Sequence, residues 1–463
     1  MRINLFLSLL IFNFSVAGCQ SLKEKDNKLK IIKSTSAHIL YNINGNQRGW
    51  RILPNVNPDI VKFECVNKIN RVSFVTDVDS INFDVKVNDS IVFAILLNHD
   101  TAFTQIIGLP KNANFTDDYK TKNEGKISVS IPEVSELANI IMAISDIGLK
   151  DSNMINMKGF YYKEVLNWFS KYKNETIIKN INSQTAKNDN SENYSLYYSL
   201  KMNACGYYFL KNEIFQDSSI LKMGFDNYPN QINLNLKFIQ DFAQKSNFRQ
   251  FYSDHQLYYD SLIERYHEIM PVPQMKEWLE SEFPNKRDYY IITFSPLVHG
   301  AHSTNWFYDN NFSVSAMFVA QIFYDSTETP TLNEIYNSRL LFTEIDHDYV
   351  NPISDHYLDE INYVFKDRMK WAAKTKTGFY PSAYEVFNEY MTWAVFTLYC
   401  YDHYTEPNLK KSMKKIEKFM EERRGFTRYA AFDHALLEIY KKEKGKKKAS
   451  ELYPELIDWC SSQ

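Results

Sequence analysis

The chain has 463 residues, with 53 Lys and Arg against 56 Asp and Glu, for a formal net charge of -3. A balance this close to neutral excludes nucleic-acid binding by bulk charge and a strongly basic membrane-facing surface. A hydrophobic content of 44% is ample for a large core, while only 13 glycines leave little material for phosphate-cradling loops.

The N-terminus reads "MRINLFLSLLIFNFSVAGC": Arg2, then an apolar run, then small residues. This has the layout of a secretory signal, too short to span a membrane as a stable helix. Its last letters, Val16-Ala17-Gly18-Cys19, resemble the lipobox of bacterial lipoproteins. The resemblance implies a signal peptide over 1–18 and a lipid on Cys19, which tethers the chain to the cell envelope. Gln20 stands where an aspartate would mark retention at the inner membrane, so the outer membrane is the expected address. Residues 19–29 are polar and charged, as a lipidated tether would be.

Strands come next. Ile81, Phe83, Val85 and Val87 alternate with polar residues, Asn88-Asp89 makes a turn, and Ile91, Phe93, Ile95 and Leu97 alternate again. Residues 30–112 are therefore expected to form a small antiparallel β module. From about residue 130 the apolar period changes to that of helices. Leu137, Ile140, Ile141 and Ile144 share one face, "YYKEVLNWFSKY" and "NLNLKFIQDFAQ" are further amphipathic helices, and residues 181–193 read as a polar loop. Two strand-like runs follow, 289–294 and 316–324, and the remainder is helical. The expected class is α+β: the β module, then a mostly helical domain over 130–463 with a few strands.

Beyond Cys19 there are four cysteines, Cys65, Cys205, Cys400 and Cys460, with no C-x-x-C pair. The spacing excludes a zinc knuckle, and disulfide pairing stays open between three full pairings and none. No G-x-S-x-G elbow or P-loop occurs, and "KKEKGKKK" (441–448) reads as a solvated connection between helices.

The chemistry concentrates in "LFTEIDHDYVNP", Leu341 to Pro352. In the zinc-peptidase motif H-E-x-x-H, two histidines one helical turn apart hold the metal and the glutamate is general base. Glu344 and His347 hold the second and fifth places, and Thr343 holds the first. Thr331 to Glu334 read as a capping box and Asn351-Pro352 as the helix end, so one helix should carry all three. Glu389, on the apolar stretch "SAYEVFNEYMTWAVFTLY", is the natural third ligand. His299 and His302 in "SPLVHGAH" are alternates for the missing one. Asp346, Asp348, Asp355 and His356 read as a solvated acidic face.

"VSFVTDVDSINFDVKVNDSIVFAILLN", "YYIITFSPLVHGAHSTNWF", "LFTEIDHDYVNP" and "FNEYMTWAV" occur in the order seen in a family of uncharacterised bacterial lipoproteins, which the chain resembles over most of its length. That family pairs an N-terminal β region with a zincin-like domain of the gluzincin type. The resemblance implies Glu344 as general base and His347 and Glu389 as zinc ligands. It makes zinc the candidate cofactor, with Thr343 standing against it, because a threonine hydroxyl is a poor zinc donor at neutral pH. On this reading Thr343→His restores tight zinc binding.

Three functions follow. The first is a degenerate, metallopeptidase-like protein that binds peptide or protein with weak zinc or none. The second is an active zinc peptidase using Glu344, with an extended peptide lying beside the strand at 316–324. The third is an aromatic-rich surface lipoprotein that stacks glycans. The partners expected are a membrane, through the lipid on Cys19, and a peptide or protein, with no nucleic acid.

Overall fold

The computed structural model describes residues 29–52, 59–97, 100–188, 190–224, 229–373, 380 and 382–463. The expected signal segment, Cys19 and most of the expected tether lie outside them. The chain divides into two compact units, Met1–Lys111 and Asn112–Gln463.

The first unit is a two-sheet β structure. Strands β1 (Lys30–Ser34), β2 (His38–Ile43), β3 (Asn46–Arg51), β4 (Asp59–Glu64), β5 (Asn70–Val75), β6 (Ser80–Val85), β7 (Ser90–Leu97) and β8 (Asp100–Leu109) form sheets of order β1-β7-β8-β4 and β3-β2-β5-β6. The second sheet is antiparallel throughout, but β1 runs parallel to β7 and β4 parallel to β8. This corrects the purely antiparallel expectation, because alternation reports which face is buried and not which way the neighbour runs. Ile32, Phe93, Ile95 and Ile106 of one sheet share a core with Val72, Phe74, Phe83 and Val85 of the other. The Phe93 ring lies 4.7 Å from Phe74 and 5.1 Å from Phe83, which closes the two inner faces on each other. Asn88 takes φ 67° in the turn between β6 and β7, a conformation asparagine tolerates.

The second unit opens with α1 (Asp117–Asn123), β9 (Ile127–Ser130), α2 (Glu133–Ala143), α3 (Phe160–Phe169), α4 (Thr176–Thr185) and α5 (Asn190–Ala204). The hairpin β10 (Tyr207–Leu210) and β11 (Glu213–Gln216) precedes α6 (Gln231–Lys245), α7 (Phe248–Asp254), α8 (Gln256–Ile269) and α9 (Val272–Glu282). Strands β12 (Tyr289–Ser295), β13 (Ser303–Asp309) and β14 (Phe312–Ala320) lead into α10 (Pro330–Ile345), α11 (His347–His356), α12 (Leu358–Val364) and α13 (Ala383–His403). Helices α14 (Glu406–Lys418), α15 (Tyr429–Glu443) and α16 (Tyr453–Ser461) complete the unit. Among the described residues no helix is long and apolar enough to cross a membrane.

The class is α+β. The sheet of the second unit has the order β13-β14-β12-β9, with β9, β12 and β14 parallel and β13 antiparallel at the edge. Every residue of β14 is buried, the mark of a central strand covered on both faces. Helix α13 is buried without interruption from Val386 to Cys400 and packs against α10, α11, α12, α14 and α15, so it forms the hub of the helical part.

Several sequence expectations need correction. The stretch 181–193 is mostly helix rather than loop. Ile177, Ile178 and Ile181 anchor α4, and Leu196, Tyr197 and Leu200 anchor α5, so burial of one face outweighs the polar composition between them. The strand expected at 316–324 runs from Phe312 to Ala320 and lies inside the sheet. Helix α10 starts two residues earlier than the capping box at Thr331 implied. Thr329 is the N-cap and accepts from Leu332 N at 3.2 Å, and Pro330 occupies the first turn, where its missing N–H costs nothing. Nor does Pro352 end the helix, for it lies inside α11. The carbonyl it would leave unpaired, that of Asp348, accepts instead from Asn285 Nδ2 at 3.1 Å and Arg287 Nη2 at 3.3 Å.

Candidate functional site

The motif spans the junction of α10 and α11, so the single helix expected to carry Thr343, Glu344 and His347 is two helices that meet at Asp346. Asp346 joins them with helical angles (φ -72°, ψ -15°), and its N–H donates to Phe342 O at 2.8 Å. Tyr349 N and Val350 N then donate to the Asp346 carbonyl at 2.9 and 2.8 Å, so the chain stays helical through the break. That continuity keeps Thr343, Glu344 and His347 on one side. All three line a cleft of about 690 Å³, together with Glu389 from α13.

Within the cleft His347 Nε2 lies 3.6 Å from Glu389 Oε1, too far for a hydrogen bond. Its Nδ1 faces Asn351 Oδ1 at 3.3 Å. The other Glu389 oxygen is taken: Arg424 Nη2 donates to Oε2 at 2.8 Å. The same nitrogen of Arg424 is 2.8 Å from the Tyr380 hydroxyl. Burial works against the Arg424 charge, but Glu389 and Tyr380 more than offset it and hold its pKa above the ordinary arginine value. Arg424 closes a π-helical segment, Phe419–Arg424, which ends at Gly425 with φ 83°. The positive φ there is why a glycine stands at the stop.

The Thr343 hydroxyl donates back into its own helix, to Arg339 O at 3.0 Å, so it does not face the cleft as a free donor. Glu344 is pushed up to about 8 by burial, with Glu389 adding to the shift and Arg424 opposing it. Its carboxyl is therefore held well above the usual carboxylate range, toward neutral pH.

His302 is on the cleft wall, and His299 is not among the lining residues. His302 Nε2 lies 2.7 Å from the His299 carbonyl, and His299 Nδ1 lies 2.7 Å from Ser152 O. Burial, chiefly, lowers the His302 pKa to about 4, so the ring is neutral at pH 7. Asp346 and Asp348 overturn the solvated-face expectation, being 0% and 1% exposed. Asp348 pairs with Arg287 Nε at 3.2 Å, and both Asp346 carboxyl oxygens are buried without a hydrogen-bond partner among the described residues. Asp346 is consequently held well above the usual carboxylate range, by burial first and by Glu389, Glu344 and Asp348 next. Asp355 and His356 are exposed, and Asp355 accepts from the Tyr384 hydroxyl at 2.6 Å.

This donor set does not fit zinc. A catalytic zinc site needs three strong protein donors and an open position. Here the threonine hydroxyl is turned away, one oxygen of Glu389 carries a guanidinium, and that fixed positive charge repels a dication. Cys65, Cys205, Cys400 and Cys460 are all free thiols, and all but Cys205 are buried.

Sequence reasoning missed the arginines and aromatics of the cleft. Arg339 is one helical turn before Thr343, and that spacing could have placed it on the same face. Its guanidinium stacks over Trp393 at 4.3 Å and lies 5.7 Å from the Phe419 ring centre. Trp393 is itself one turn after Glu389 on α13. Burial and the neighbouring Arg424 lower the Arg339 pKa to about 10, which still leaves it charged at neutral pH. Arg424 had no sequence signal, because its approach depends on the π-helical turn after α14.

No family model, no curated protein and no solved structure matches the chain.

Proposed function

We propose that this protein is a lipid-anchored cell-envelope lipoprotein, addressed to the outer membrane. Its helical unit is a degenerate, gluzincin-type metallopeptidase-like domain that binds peptide or protein without cleaving it. The observation that carries the reading is the Arg424–Glu389 contact of 2.8 Å, in which a side-chain cation holds the carboxylate that a zinc site would use. The turned-in hydroxyl of Thr343 supports it further.

Two alternatives fare worse. An active peptidase with its substrate beside 316–324 loses its docking edge, because β14 is paired on both sides, with β12 and β13. Glycan stacking inside the cleft loses Trp393 as a platform, since it is covered by Arg339 and packs on Phe419 at 5.6 Å.

The test is incubation of the purified chain with a synthetic random-hexapeptide mixture, followed by mass spectrometry of the retained and free fractions. The reading expects retained, uncut peptides at the same level with zinc or with a chelator. Fragments that vanish when chelator is added would overturn it in favour of an active peptidase.

A further inference from the structure

The cleft holds a charge that its own walls do not neutralise. Among the described residues Arg424 is matched by Glu389, but no carboxylate lies within ion-pairing distance of Arg339 and no protein acceptor takes a hydrogen bond from its guanidinium. Arg423, exposed at the rim, adds a further positive charge. Desolvating a guanidinium without a partner is costly, and proteins keep such an arrangement where a ligand supplies the missing anion. Stacking on Trp393 engages the flat face of the Arg339 guanidinium and leaves its in-plane N–H groups available, the geometry that takes a carboxylate with two parallel hydrogen bonds. Around it Leu340, Tyr198, Tyr380 and Phe419 provide an apolar and aromatic wall for the group attached to that anion.

We propose that Arg339 is the anchor for a ligand carboxylate, and that the cleft takes the free C-terminus of a peptide with its last side chain against the aromatic wall. The identity of the ligand as a peptide rests on the function proposed above; the carboxylate site at Arg339 does not.

The experiment separates the two. Random hexapeptides with free C-termini and the same mixture amidated are titrated against the wild-type chain. N-acetylphenylalanine, its amide and inorganic phosphate are titrated in parallel. A charge-assisted contact of this kind predicts that the acids bind about tenfold to a hundredfold more tightly than the amides. Arg339→Gln should abolish the difference and Arg339→Lys should retain part of it. The acid-against-amide comparison on wild type needs no variant, so it stands even if Arg339→Gln fails to fold. Equal binding of acid and amide hexapeptides overturns the carboxylate site and leaves the peptide reading in place. Arg339-dependent binding of N-acetylphenylalanine without hexapeptide binding supports the site and overturns the peptide reading. Phosphate binding as tightly as the free acids overturns the choice of a carboxylate.

Discussion

Arg424 sits where two ideas about this cleft compete. If it is the permanent partner of Glu389, its removal strands a carboxylate that is 9% exposed. Breaking such a pair typically costs about 3–5 kcal/mol, because the remaining charge is left uncompensated. Arg424→Met should therefore lower stability by about that much, and Glu389→Gln in the same chain should recover a large part of it. Urea unfolding of the two single variants and the double variant measures the coupling. His302 gives a prediction in pH. Its ring is neutral in the fold, with a pKa of about 4 against an ordinary 6.5. The unfolded chain takes up the proton first as pH falls, so the contribution is fully present above 6.5 and is lost on the way down to 4. The gap corresponds to about 3 kcal/mol at most. His302→Gln should flatten the fall of the urea midpoint between pH 6.5 and 4 relative to wild type. An unchanged slope would mean that the ring is open to solvent.

At the scale of elements, the sequence shows clearly where periodicity is strong and poorly where tertiary partners decide. The alternation from Ile81 to Leu97 is sound evidence for β6 and β7, since residues two apart share a face whatever the neighbouring strand does. Direction and register carry no such mark, and the parallel pairing of β1 with β7 was invisible for that reason. The spacing of Glu344 and His347 could be read directly. The end of α11 could not, because the Asp348 carbonyl freed by Pro352 is taken up by Asn285 and Arg287, which lie far away in sequence. That substitution of partners is testable. Pro352→Ala restores an N–H that can reach the Asp348 carbonyl, so Asn285→Ala should cost less in the Pro352→Ala background than in wild type. Each carbonyl bond of this kind is worth about 1 kcal/mol. Strict additivity of the two changes would show that Asn285 does not serve the carbonyl freed by the proline.

At the scale of the whole molecule, the proposed function combines a lipid anchor with a binding unit. Cell fractionation checks the first: Cys19→Ala should shift the protein from the membrane fraction to the soluble one. The second unit, Asn112–Gln463, carries every residue of the cleft, so that unit expressed alone should retain the ligand binding of the full chain. The central claim, that a guanidinium now holds Glu389 where a metal would be needed, is tested most directly by titrating zinc into the protein calorimetrically. Thr343→His alone was expected from the sequence to restore zinc. With Arg424 on Glu389, the account predicts no stoichiometric zinc in wild type and weak binding in Thr343→His. In Thr343→His with Arg424→Met it predicts one zinc per chain, held at least about tenfold more tightly than in either single variant. One tightly bound zinc per wild-type chain would contradict it.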